Sequence, residues 1–273
     1  MPEAVCAELV SQKSSLKTRK EEALFPSHGA NVMDLFSFSR LNLFDTCKRR
    51  FAYKYVEKLP DPPGSPAVLG KTIHRAYELY SNGYLFEDAI VTAYLEEGDS
   101  TVERSIVESM LTTAIGYRYT GIVEHHFVMQ LTDKIKLQGY IDLQPDNTSI
   151  PTIIDWKTGF KSYGVFETWQ LPLYAAAVME KTGDKVIKGV YAFLRFKRIK
   201  SGIITPKEAS QAVQWAIRTA EEVQSRLELL SILTIPEVFP ARPSPACGNC
   251  PWSLLCLRES KGGHSYGHTP RMA

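Results

Sequence analysis

Ile135-Lys-Leu-Gln-Gly-Tyr-Ile-Asp-Leu143 and Thr152-Ile-Ile-Asp-Trp-Lys157 are two short apolar stretches separated by a turn at Pro145-Asp-Asn147. In the first, the small or apolar residues Ile135, Leu137, Gly139, Ile141 and Leu143 alternate with Lys136, Gln138, Tyr140 and Asp142. That period of two is the signature of a strand with two unlike faces. The second stretch also reads as a strand, on which Asp155 and Lys157 share one face while Trp156 points the other way. A hairpin between the two brings Asp142 beside Asp155, so two carboxylates and one ammonium can converge.

Working outward, a third strand is expected at Val186–Phe196, a helix at Glu167–Lys181 despite Pro172, and a long amphipathic helix at Pro206–Leu230. Upstream the chain reads as mostly helical. From Ser37 onward Phe44, Cys47, Phe51 and Tyr55 recur at spacings of three and four, which turns Cys47 inward. The proline-rich run from Pro60 to Pro66 is a loop. Helices follow at about Ala67–Tyr80, Glu87–Glu97 and Val102–Ile122, interrupted at Gly98 and Asp99. There are no internal repeats. The expectation is an α/β domain over residues 34–260, with a mixed central sheet flanked by helices. Residues 1–33, polar and rich in Lys, Glu and Ser, are expected to be a mobile extension in which Cys6 has no role. Residues 261–273, with His264 and His268, are expected to form a flexible tail.

The 273 residues, 44% hydrophobic and 23% charged, suit a folded protein of enzyme size. A net charge of only +2 means that any nucleic-acid surface must be local. Lys48–Arg50 and the group Arg195, Lys197, Arg198 and Lys200 are the candidate patches, although each alone reads more readily as a solvated charged face and decides nothing by itself. No apolar run reaches the roughly 18–20 residues of a membrane span, and no signal-peptide pattern opens the chain, so a cytoplasmic protein without a membrane partner is expected. Gly64…Gly70-Lys-Thr72 superficially suggests a phosphate loop. Five residues rather than four separate its glycines, Pro66 intrudes, and no strand precedes it, which argues against ATP and against a motor in this chain.

Two carboxylates beside a lysine suit phosphodiester hydrolysis: carboxylates gather Mg²⁺, and the ammonium orients water or stabilises developing charge. A bare Asp-x-Lys is also what a surface salt bridge on a sheet looks like. Two further pairs bear on the choice. His74 and Glu78 lie one helical turn apart and can join a metal site, although a lone histidine on a helix is more often structural. Gln170 and Tyr174 likewise share a helix face. The ordered set His74, Asp142, Asp155-Trp-Lys157 and Gln170-Leu-Pro-Leu-Tyr174 resembles the PD-(D/E)XK nuclease superfamily in its RecB-type branch, over about Leu35–Glu259. One departure is that Ile141, not proline, precedes Asp142. The resemblance implies a restriction-endonuclease-like fold, with Asp142, Asp155 and Lys157 catalytic. It further implies Mg²⁺ or Mn²⁺ held by His74, Asp142 and Asp155, and Gln170 and Tyr174 supporting the site and contacting DNA.

Cys247-Gly-Asn-Cys250 and Cys256 place three thiolates in a short C-terminal stretch, with Cys47 available as a fourth ligand. Four thiolates accept zinc as readily as an iron–sulfur cluster. One cysteine before the core and three after it resembles the iron–sulfur nucleases, both the AddB-type repair nucleases and the CRISPR-associated adaptation nucleases. That layout implies a cluster, [4Fe-4S], joining the N-terminal helix to the C-terminal loop, with Trp252 shielding it. The implied activity is exonuclease cleavage of DNA single strands or ends, in CRISPR spacer acquisition beside an integrase. The rivals are a free-standing RecB-like repair or phage-type exonuclease, and a non-cleaving DNA-binding module of the same fold.

Overall fold

The computed structural model describes residues 33–261, so the expected N-terminal extension with Cys6 and the tail with His264 and His268 lie outside the described residues. The chain opens with β1 (Leu35–Ser37) and α1 (Phe38–Thr46), whose first turn is capped by Ser37. Next come α2 (Lys48–Phe51), continued by a π-helical turn over Ala52–Val56, then α3 (Ser65–Ser81), α4 (Phe86–Glu97) and α5 (Arg104–Gly116). Pro66 closes the expected loop from inside the first turn of α3, where its missing N–H costs no hydrogen bond.

The strands follow as β2 (Gly121–Thr132), β3 (Ile135–Pro145) and β4 (Thr152–Lys157). After these come α6 (Gln170–Thr182), β5 (Ile187–Phe193), β6 (Arg198–Ile204), α7 (Pro206–Leu229), α8 (Ile235–Val238) and α9 (Ser253–Lys261). Two expectations need correction. The helix expected over Val102–Ile122 ends at Gly116; Arg118, at a φ of 55°, then turns the chain into β2. The strand expected to reach Phe196 stops at Phe193, and a tight turn with Lys197 at a φ of 50° starts β6. Pro172 is tolerated because it sits in the first turn of α6, and Gly183, at a φ of 79°, ends that helix.

The sheet is mixed, with β1 parallel to β3 and β4 parallel to β5, and the other pairings antiparallel. Successive side chains of β5 divide between two cores. Tyr191 and Phe193 join Phe36, Phe44, Ile153, Leu171 and Trp215 on one face, beneath α1, α6 and α7. Val190 and Ala192 join Ile154, Trp156, Ile73 and Leu111 on the other, beneath α3, α4 and α5. The central strand β4 is therefore buried from Thr152 to Trp156, as a strand covered on both faces must be. Among the described residues no helix is long and apolar enough to cross a membrane.

Candidate active site

Antiparallel pairing sets Leu143 opposite Ile154, which, continued by one residue, brings Asp142 of β3 across from Asp155 of β4. Both carboxylates are buried, Asp142 at 7% and Asp155 at 3% exposure. Trp156 anchors β4 from the opposite face, its ring packed 4.8 Å from Tyr77 of α3. Its backbone N–H donates to Asp142 Oδ2 at 2.6 Å, leaving Oδ1 to face His74. His74, on α3, places Nδ1 3.4 Å from both Asp142 Oδ1 and Glu124 Oε1, and its Nε2 lies 3.2 Å from the Trp156 carbonyl. Donor atoms of His74, Glu124 and Asp142 all fall within 4.8 Å of one another.

Asp155 belongs to a second, adjoining group. Its Oδ2 faces the Lys157 ammonium at 2.6 Å, and its Oδ1 accepts from the Gln170 amide, also at 2.6 Å. Lys157 in turn donates to Gln170 Oε1 at 2.8 Å and lies 5.2 Å from the centre of the Tyr191 ring. One glutamine at the start of α6 thus holds both the carboxylate and the ammonium of the Asp155–Lys157 pair. Tyr174, one turn further on, is buried beneath the site with its ring edge-on to Phe127 at 5.2 Å. It fits there because residue 139 is glycine: a Cβ would come within 2.7 Å of Phe127 and 2.9 Å of Tyr174.

Burial pushes the Asp155 carboxyl above its ordinary value; Lys157 opposes this, and the neighbouring Asp142 charge reinforces it. Burial works against the charge on Lys157, but Asp155, joined by Tyr163 and Asp142, holds the ammonium above its usual pKa. Burial likewise disfavours a charged His74, yet Asp142 and Glu124 together raise its pKa well above 6.5. Both cations are therefore held charged by their carboxylates.

Of the residues singled out in the sequence, the structure brings His74 and Asp142 together and binds Asp155, Lys157 and Gln170 into one network. Glu78 does not join them: its carboxylate holds Arg75 at 2.8 Å. The sequence reading missed Glu124, which sits on β2, a strand whose first two residues were read as the end of a helix and whose remainder was assigned to no element. The alternation Val123, His125, Phe127, Met129 and Leu131 was the available signal for that strand. The basic patches also divide. Arg49 is buried and Lys48 pairs with Glu222, whereas Lys197, Arg198 and Lys200 are exposed.

A model of the PD-(D/E)XK nuclease superfamily matches residues 35–257. The chain belongs to this superfamily. Among solved structures, "Crystal structure of SSO0001" aligns at 16% identity and a TM-score of 0.39, covering 90% of this chain and 96% of that one. None of the curated proteins matches it.

The cysteines of this superfamily member lie on elements other than those that carry His74, Glu124, Asp142 and Asp155. Cys47 separates α1 from α2, Cys247 and Cys250 lie in and just after the turn Pro245–Asn249, and Cys256 is on α9. Burial, reinforced by Cys47 and Cys247, raises the Cys256 thiol pKa. Among the described residues no three cysteine sulfurs come within 4.8 Å of one another. A polar latch stands beside them. Arg49, 4% exposed, donates through Nε and Nη2 to Glu259 Oε2 on α9, and Tyr53 donates to the same oxygen at 2.7 Å. Trp252 packs on Tyr53 at 5.6 Å.

Proposed function

We propose that the chain is a divalent-metal-dependent deoxyribonuclease that removes nucleotides from single strands or DNA ends. The observation that carries this reading is the meeting of His74, Glu124 and Asp142 beside the Asp155–Lys157–Gln170 network. The three donors lie close enough for one cation to gather with small side-chain shifts. Carboxylates suit Mg²⁺ and Mn²⁺, and the imidazole favours Mn²⁺ of the two. A bound cation would polarise the scissile phosphate and acidify an attacking water. Lys157 stays charged, so it serves as a fixed positive group for the negative charge that builds on phosphate oxygens, and it does not act as a base. Asp155, lifted by burial, is the carboxylate best suited to take a proton from water. Gln170 bonds to both side chains and so orients the Asp155–Lys157 pair.

For the cysteines we propose an iron–sulfur cluster on Cys47, Cys247, Cys250 and Cys256. The support for this is the order of the cysteines along the chain, one before the acidic core and three after it, which resembles that of the iron–sulfur nucleases. With a cysteine layout like that of the adaptation nucleases, we assign the enzyme to CRISPR spacer acquisition, with an integrase complex as partner. The test is digestion of 5′- and 3′-end-labelled single- and double-stranded DNA with Mn²⁺, Mg²⁺, Ca²⁺ or EDTA, for wild type and Asp142→Asn. Mn²⁺-dependent shortening from an end, absent in the variant, is expected. No cleavage of any substrate, or equal cleavage by the variant, overturns the assignment.

A further inference from the structure

The segment that follows Lys157, Thr158-Gly-Phe-Lys161, carries a large aromatic ring into solvent. Phe160 is 72% exposed, which leaves a large apolar surface free for contact. Its placement is not loose. Arg195 donates from Nε to the Thr158 carbonyl at 3.2 Å, and its guanidinium carbon stands 4.0 Å from the centre of the Phe160 ring. The turn after β5 is thereby tied to the loop after β4 at two points. Phe160 is only three residues beyond Lys157, so the two α-carbons are within roughly 10 Å, the reach of a nucleotide or two. Lys161 follows it in the chain, Phe196 and Lys197 follow Arg195, and all three are exposed.

We propose that Phe160, backed by Arg195, is a stacking platform for an unpaired base of the strand entering the site, and that it sets a preference for single-stranded or frayed ends. This rests on the nuclease reading above. With Arg195 over one side of the ring, the remaining exposed surface is available to a base. The cation polarises that ring and supplies charge for the adjoining phosphate. Bases inside a duplex have no free face to offer, so the contact rewards single strands, while the lysines alone would attract either form. Stacking of one base corresponds to an affinity change on the order of 10- to 100-fold.

The experiment uses the full chain with Ca²⁺ and measures binding of a 2-aminopurine-labelled single strand by its fluorescence, alongside a blunt duplex of equal length. Phe160→Ala is expected to weaken single-strand binding about 10- to 100-fold and to abolish the fluorescence change, with duplex binding altered less than about threefold. Phe160→Trp should retain both signals, and Arg195→Lys, which keeps charge but not the planar face, should fall between. Equal losses on both DNA forms, or none, overturn the platform. A wild type that binds neither DNA and does not hydrolyse bis(p-nitrophenyl) phosphate with Mn²⁺ instead fails the nuclease reading itself.

Discussion

Replacing Glu259 with Gln is expected to destabilise the protein by about 2 kcal/mol. Arg49 is almost fully buried, and Glu259 Oε2 accepts hydrogen bonds from its Nε, its Nη2 and the Tyr53 hydroxyl. Its other charged partner, Glu57, lies 3.2 Å from Nη1 but makes no well-aligned hydrogen bond. Removing one partner of a fully buried ion pair costs about 3–5 kcal/mol, because the remaining charge is stranded. Two features reduce that figure here: the Glu259 side chain is 33% exposed, and Glu57 stays in place. About half the full cost is therefore the appropriate magnitude, which for a domain of this size lowers the melting temperature by about 4–8 °C. Thermal unfolding followed by circular dichroism would measure it against Glu108→Gln, which removes an exposed pair with Arg104 and should cost under about 0.5 kcal/mol. Because α9 carries Cys256 one turn before Glu259, the variant should also release bound metal faster. Equal melting of the two variants would refute the claim that this pair pins α9 to the first helices.

Glu124→Gln should weaken Mn²⁺ binding by at least about tenfold, or 1.4 kcal/mol, in calorimetric titration; unchanged affinity would remove Glu124 from the site. Lys157→Ala should lower cleavage by about 10²–10³-fold while leaving Mn²⁺ affinity within a few fold, since the ammonium meets phosphate rather than metal. His74 has a folded pKa well above 6.5, so its ion pairing contributes stability that is fully present below about 6.5 and lost as pH rises through the folded value. Metal ligation needs the neutral ring, so Mn²⁺ affinity should climb over the same range as metal-free stability falls; melting curves across pH with and without Mn²⁺ would expose parallel or flat trends. Protein purified without oxygen should contain iron and sulfide and lose both in Cys47→Ser and Cys250→Ser alike, whereas zinc without sulfide would reject the cluster.

Period-two alternation marked β3, and the burial of β4 on both faces kept its Asp155-Trp-Lys157 run readable as a strand. The long amphipathic helix α7 was equally legible, since Thr205 and Glu208 form a reciprocal cap and Pro206 sits at its first position. What escaped was set by tertiary context. β1 is three residues long and owes its extended form to pairing with Lys136–Gln138 of β3, a contact over a hundred residues away. β2 was hidden because His125 interrupts its apolar face and because its first two residues were read as the end of the preceding helix. Glu78 lay at the right spacing from His74, but spacing along one helix does not reveal a competitor: Arg75, itself held by Glu96 of α4 at 2.6 Å, takes that carboxylate.

Glu124 shows why the site could not be completed from pattern alone. Register on either side of it is continuous, Val123 opposite Leu143 and His125 opposite Ile141, so no residue has been inserted. Yet Glu124 takes a φ of 48°, a conformation that side chains rarely adopt, and the ladder lapses there, across from Asp142. Such a conformation costs on the order of 1–3 kcal/mol and persists only where its surroundings impose it. Here the distortion adds a carboxylate to a place that already holds Asp142 and, just beyond it, Asp155. Three carboxylates then face two cations, His74 and Lys157, and the raised pKa of His74 expresses that surplus of negative charge. A strand that merely needed stability would not concentrate like charges at its one strained residue. The arrangement makes sense when a divalent cation supplies the missing positive charge, so that metal binding relieves repulsion built into the fold.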